Sequence, residues 1–384
     1  MIDFRYHVVS IVAVFLALTV GLVLGASFLK GAAVQNLKDS ITSLTTQRNN
    51  LQQANRTQGN QIDDLNTYIS ATAPIAVQNY LDGYDVAVVQ INGSDPALTS
   101  ATLTYLADAG AKVTSDYTIN PSFTATDAAT ETKLSDAVSS SLPSGQAPGT
   151  GTAAVQAADL LAEALTAPVE TDTQNGTGTQ NGTQTGTQTQ TQTPTSGMTP
   201  GEAQAVLVAF GTGGFITKNT VPANLTPAVP TRPTLAFIAA PTTVNTAAQN
   251  SAYISLAEAL RGGGAAPVVG GAAADNTPGS SQTGGLLDAV LKDGTANKQV
   301  ATVDNINLTT GQVAVVFTLW QAANNAATGS NAAAGHWGSV GTNQGQLPPL
   351  APLPTPTPTS TPTGADTTTP GDKATTPAGH ATTP

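Results

Sequence analysis

The sequence predicts an α/β protein: a single N-terminal transmembrane helix, a coiled-coil rod, then a three-layer α/β domain with a mainly parallel sheet. Three observations carry this reading. No charged side chain occurs in the 22 residues from Val8 to Leu29. Apolar residues then recur with 3-4 spacing across 36 residues, from Val34 to Ile69. Beyond Pro74, strand-like and helix-like segments alternate. A disordered insert and a disordered tail complete the prediction.

The apolar run comes first. A helix of that length spans about 33 Å, enough to cross the hydrocarbon core of a bilayer. A secretory signal has a shorter apolar region of about 7–15 residues before a small-residue cleavage site. Residues 1–7 are therefore expected as a short cytoplasmic N-terminus and 8–30 as a retained span, with a cut after Gly31–Ala33 as the alternative. Ala13, Ala17, Gly21 and Gly25 recur every fourth residue and end in the GxxxG of "GLVLG". On a helix they line one face, where small side chains let two backbones approach closely. Arg5 precedes the run and Lys30 and Lys38 follow it, so charge alone does not fix its orientation.

The rod, residues 34–70, follows. Val34, Ile41, Arg48, Asn55, Ile62 and Ile69 form one series, and Leu37, Leu44, Leu51, Gln58 and Leu65 its partner. These are the a and d positions of a coiled coil, and they predict a homodimer. Arg48, Asn55 and Gln58 place polar groups in the seam, a feature that fixes register at a cost in stability. A lone amphipathic helix packed on its own domain is the alternative.

The α/β domain is expected over 75–141 and 200–338. "YDVAVVQI" (84–91), "KVTSDYTI" (112–119), "AQAVLVAFG" (203–211), "PTLAFIAAP" (233–241), "APVVGG" (266–271) and "QVATVD" (299–304) read as strands. Helices are expected over 95–111, 249–261, 285–294 and 311–324. Strands alternating with helices imply parallel pairing. Residues 142–199 drift into "TQNGTGTQNGTQTGTQTQTQTPT" and read as a disordered Thr/Gln/Gly-rich insert, with a short helix near 154–166. Residues 347–384 form a Pro/Thr-rich tail of extended character. A tail of this kind suits the outer face of a cell, which places the bulk of the chain outside the cytoplasm.

Composition excludes several classes. Charged residues are 10% of the chain and the net charge is −11, which does not suit nucleic acid. There is no cysteine, so disulfides, thiol catalysis and zinc–thiolate sites are excluded. The histidines are His7, His336 and His380, and no G-x-S-x-G elbow precedes His336. "FGTGGFITKNT" (210–220) resembles a phosphate loop, but Thr217 stands where a Walker A motif needs Gly, and Ile216 where G-x-G-x-x-G needs its third. An enzyme is not expected, and no resident cofactor. For metal, soft copper(I) ligands are confined to Met1 and Met198, and Asp63, Asp64, Asp82 and Asp85 read as solvated charge. His336 is the one candidate ligand, with Trp337 beside it marking a candidate surface.

The run "HVVSIVAVFLALTVGLVLG", the coiled coil, the strand "DVAVVQI" and the late "GHWG" (335–338) together resemble the mycobacterial copper transport protein B family of actinobacteria. The resemblance covers residues 1 to about 340 apart from the insert, and the membrane segment is its most specific part. It implies a single-pass cell-envelope protein of copper transport or copper homeostasis, with the N-terminus inside and the bulk extracytoplasmic. Copper would then be the transported ion. The residues themselves equally suit a non-enzymatic coiled-coil scaffold or regulator of cell-wall or cell-division proteins, with a protein partner in the envelope.

Overall fold

The computed structural model describes residues 4–143, 145–169, 197–229, 231–272, 285–338, 343–344 and 348. The expected disorder of the tail, and of the insert from 170 to 196, falls on residues outside this set.

Helix α1 (Phe4–Val77) is continuous over 74 residues, so the expected separation of span and rod at Gly31 does not occur. Hydroxyl side chains do not interrupt it, because Ser40, Thr42, Thr45 and Thr46 each donate to the carbonyl four residues earlier. Pro74 lies inside the last turn rather than ending the helix. That turn is held from outside. Ala73 and Val77 are buried, and Tyr80 meets Phe317 edge-on at 4.9 Å and Trp320 at 6.0 Å.

The domain then runs β1 (Asp85–Ile91), α2 (Pro96–Asp108), β2 (Lys112–Ile119), a 3-10 turn (Pro121–Thr124), α3 (Ala128–Ser141), α4 (Ala153–Thr166) and α5 (Pro200–Thr212). It continues with β3 (Ile216–Lys218), β4 (Leu235–Ala239), α6 (Ala247–Gly262), β5 (Ala266–Gly270), α7 (Leu286–Lys292) and α8 (Ala296–Gln299). It ends with β6 (Ala301–Val303), α9 (Thr309–Ala327), β7 (His336–Gly338) and β8 (Asn343–Gln344). The strand order is β3-β2-β1-β4-β5-β6-β7-β8. Only the β2–β3 pairing is antiparallel; the others are parallel. Every residue of β4 and β5 is buried, as expected of a parallel sheet covered on both faces.

One face carries Ala87, Val89, Ile91, Ala236 and Ile238 against α3 to α8. The opposite face is covered by α2, α9 and the end of α1. This is the three-layer arrangement the alternation predicts.

Two readings need correction. Residues 203–211, expected as a strand, lie in helix α5. Thr199 and Glu202 form a reciprocal capping box, Pro200 occupies the first turn, and Ala203, Val206 and Phe210 are buried at helical spacing. The insert also begins later than expected. Helix α4 is not a loop element but part of the core: Leu160, Leu161, Ala162 and Leu165 are buried against α6 and its neighbours. Its composition is Ala-rich and apolar, unlike the Thr/Gln tract that follows Val169.

Candidate functional site

The N-terminal span is the clearest functional element. Phe4–Ala26 is long and apolar enough to cross a membrane, and none of it is buried inside the fold. Ala13, Ala17, Gly21 and Gly25 lie exposed on one stripe of it. A Cβ added to Gly21 or Gly25 would meet nothing within 4 Å.

The same helix carries the seam. Val34, Leu37, Ile41, Leu44, Leu51, Ile62 and Leu65 are 56–66% exposed, and Ile69 is half-buried. The structure thus aligns the seam residues on one continuous helix, with this apolar stripe uncovered by the described chain. Only beyond Ile69 does the helix dock: Ser70 Oγ lies 2.8 Å from Thr309 Oγ1 of α9, and Ala73 and Val77 enter the core.

His336 sits elsewhere, in β7, and is 6% exposed. Its Nδ1 lies 2.9 Å from Thr302 Oγ1, and its Nε2 lies 2.9 Å from both the Asn297 carbonyl and Asn297 Oδ1. A carbonyl oxygen only accepts, so Nε2 carries the proton and Nδ1 accepts from the threonine hydroxyl. Burial pushes the imidazole below its usual value, against a smaller opposite effect of the Asn297 carbonyl. Trp337 is buried beside it and donates to the Ala334 carbonyl at 3.1 Å. The two residues expected to mark a surface are therefore packed into the sheet, and a metal at His336 would have to displace a partner already in place. Among the described residues no group of three or more His, Cys, Asp or Glu is arranged to hold a metal ion. Met198 is a core residue.

In this sheet order β1 has β2 on one side and β4 on the other, the switch point where open α/β sheets commonly bind ligands. Here the crevice is zipped shut. Thr242 donates to the Gly93 carbonyl from its backbone at 2.9 Å and from its hydroxyl at 3.1 Å. A Cβ on Gly93 would lie 3.4 Å from Pro241 Cβ. The N-terminus of α2, where a phosphate would sit, is capped by the Asp95 carboxylate, which accepts from Ala97 N. The glycine loop at 210–220 is equally unsuited. It leads from helix α5 into strand β3, the reverse of a phosphate loop, and Asn120 and Ser122 hold the Gly214 carbonyl.

Sequence reasoning missed two polar features of the domain. Asp116 is buried and held by Gln90 Nε2 at 2.9 Å and Asn219 Nδ2 at 2.7 Å, with burial raising its carboxyl above the usual range. Asp159, Glu163 and Glu258 form an acidic set between α4 and α6. Each is raised first by burial, Glu163 and Glu258 further by neighbouring carboxylates. The spacing of Asp159 and Glu163, four residues apart, was the available signal for the second.

The model of a family described as "Copper transport outer membrane protein, MctB" matches residues 1–348. The match takes in the apolar span, the seam and the whole sheet. No curated protein matches.

Proposed function

Because the chain belongs to the MctB family of copper transport outer membrane proteins, we propose that it serves copper homeostasis from the cell envelope as a membrane-anchored, non-enzymatic module. In this reading the Phe4–Ala26 span stays in the membrane, two copies pair through the α1 seam, and the α/β domain stands on the extracytoplasmic side. The observation that supports it is the single helix α1, apolar at its start, seamed along its middle and locked into the domain at its end.

The described sheet gives no support to a role as a pore. A membrane barrel alternates apolar and polar residues along tilted antiparallel strands and has no edges. Here the strands are mainly parallel, short and buried on both faces. Copper handling in this reading acts through a partner or through an assembly of copies, not through a channel within one chain.

The test joins topology to phenotype. Reporter fusions at Gly31 and Pro384 should report an extracytoplasmic Pro384, with Met1 retained in the mature protein. A cytoplasmic signal at Pro384, or a mature N-terminus at Val34, would overturn the reading. Deletion of the protein should lower copper tolerance, and the intact chain should restore it. The seam also favours a second reading, a scaffold for cell-wall or division proteins. Calorimetric titration of the chain with copper(I) and copper(II) separates the two: micromolar binding supports direct copper handling, and a metal-blind dimer supports the scaffold.

A further inference from the structure

A cavity of about 500 Å³ lies at the β2–β3 edge of the sheet, beneath α4 and α5. That volume is within the range of small-molecule sites. Its floor is unusual for a strand. The β1–β2 register shifts so that Val86 pairs with Val113 and Ala87 with Ser115, leaving Thr114 as an extra residue. Neighbouring side chains on a strand normally face opposite sides. At this bulge Thr114 and Ser115 both line the cavity.

Two hydroxyls there lack partners. Ser115 Oγ and Thr231 Oγ1 are buried and make no hydrogen bond within the described chain. An unpaired buried hydroxyl is costly, and two on one cavity wall indicate that something else supplies the bonds. The remaining lining has a clear character. Leu165, Leu207 and several prolines form apolar walls, Lys218 is the lining's cation, and no carboxylate lines it.

We propose that this cavity binds a sugar acid: a pyranose ring bearing one carboxylate. Ring hydroxyls both donate and accept, which matches Ser115 and Thr231. The C–H faces of the ring suit the leucine and proline walls, and the carboxylate suits the ammonium of Lys218. A bare oxyanion would use the lysine and leave most of the volume empty. This inference does not depend on the copper reading, and it stands if that reading fails.

Calorimetric titration of the full chain in nanodiscs with D-glucuronate, D-glucose and acetate tests it. Glucuronate should bind about tenfold more tightly than glucose, the contribution expected of one charge-assisted contact. Acetate should bind far more weakly than either. Lys218→Ala is a change at an exposed position and should reduce glucuronate to the affinity of glucose, leaving glucose unaffected. Ser115→Ala combined with Thr231→Val should weaken both sugars by about tenfold or more. Absence of binding of both sugars at millimolar concentration would overturn the proposal and leave the cavity to water. Acetate binding as tight as glucuronate would overturn it in favour of a simple anion site. Binding that appears only after residues 171–195 are deleted would also overturn it, since the intact chain would then have no open site.

Discussion

His336 Nδ1 and Thr302 Oγ1 lie 2.9 Å apart across the β6–β7 pairing, and this contact fixes a neutral imidazole inside the sheet. Burial lowers its folded-state pKa, while the unfolded chain titrates near the ordinary 6.5. Below 6.5 the unfolded state takes up a proton that the folded state refuses, so stability falls as pH drops through that value. His336→Gln should cost about 1–2 kcal/mol at pH above 6.5 through its lost hydrogen bonds. That cost should shrink at lower pH, because the variant has no imidazole to charge. Denaturant unfolding of both chains across the window checks this. A cost independent of pH would mean that the imidazole is not held neutral. If the role is structural only, copper tolerance should fall in step with stability and not beyond it.

Glu258 gives the opposite sign. Its carboxyl is raised by burial and then by Asp293 and Asp159, so the folded state holds a proton more readily than the unfolded one. Stability from this group is therefore lost as pH rises above the ordinary carboxylate range. Glu258→Gln should stabilise the domain at neutral pH, by on the order of 0.5–1 kcal/mol after solvent screening. The gain should vanish as the wild-type carboxyl becomes protonated in acid. A melting temperature at neutral pH that is unchanged or lowered would show that the acidic set is not repulsive.

Gly311 opens the first turn of α9 against the loop that follows β6. A Cβ there would lie 2.1 Å from the Asn305 carbonyl oxygen and 2.3 Å from its carbon. Both are backbone atoms, and Asn305 already sits at φ 62°, so the loop has little room to yield. Gly311→Ala should cost about 3 kcal/mol or more, against a small gain expected from alanine in an unconstrained helix. Gly262→Ala, where a Cβ meets nothing within 4 Å, is the matched control and should be nearly neutral. Equal thermal shifts for the two would refute the steric account.

The sequence made most of the domain legible because its central strands are short apolar runs bounded by turns. Asp95-Pro96, for example, announced α2, and Asp95 does cap it. It misled where a helix was wholly apolar on the visible stretch. "AQAVLVAFG" has the length and β-branching of a buried strand, and only the Thr199–Glu202 capping box argues otherwise. Low-complexity composition spread too far in the insert, hiding α4 beside the Thr/Gln tract. The site was less legible than the fold. His336 was visible as a rare residue, but its burial depends on β7, three residues long and defined by pairing with β6 rather than by any local pattern. The cavity hydroxyls were invisible, because Ser115 and Thr231 are 116 positions apart and only the bulge at Thr114 turns the first of them inward.

The last prediction concerns the seam. Leu44 and Leu51 are 64% and 66% exposed in the single chain, so neither contributes to the stability of its own α/β domain. In a parallel pair each would be buried at a d position, contributing about 1.5–3 kcal/mol. Replacing both by Asp removes that burial and sets four carboxylates, two from each copy, along one line. Leu44→Asp with Leu51→Asp should therefore convert the full chain from dimer to monomer in detergent sedimentation. Thr46→Asp with Gln53→Asp adds the same charge at outward positions and should leave the dimer intact. Thermal unfolding of the α/β domain should be equal in both double variants, because its lock on the rod lies further along, at Ala73, Val77 and Tyr80. Copper tolerance lost with the seam variant alone would tie function to the paired state. A wild-type chain that sediments as a monomer would remove the dimer from the reading. Loss of the dimer in both double variants would show that added charge, rather than the seam, governs association.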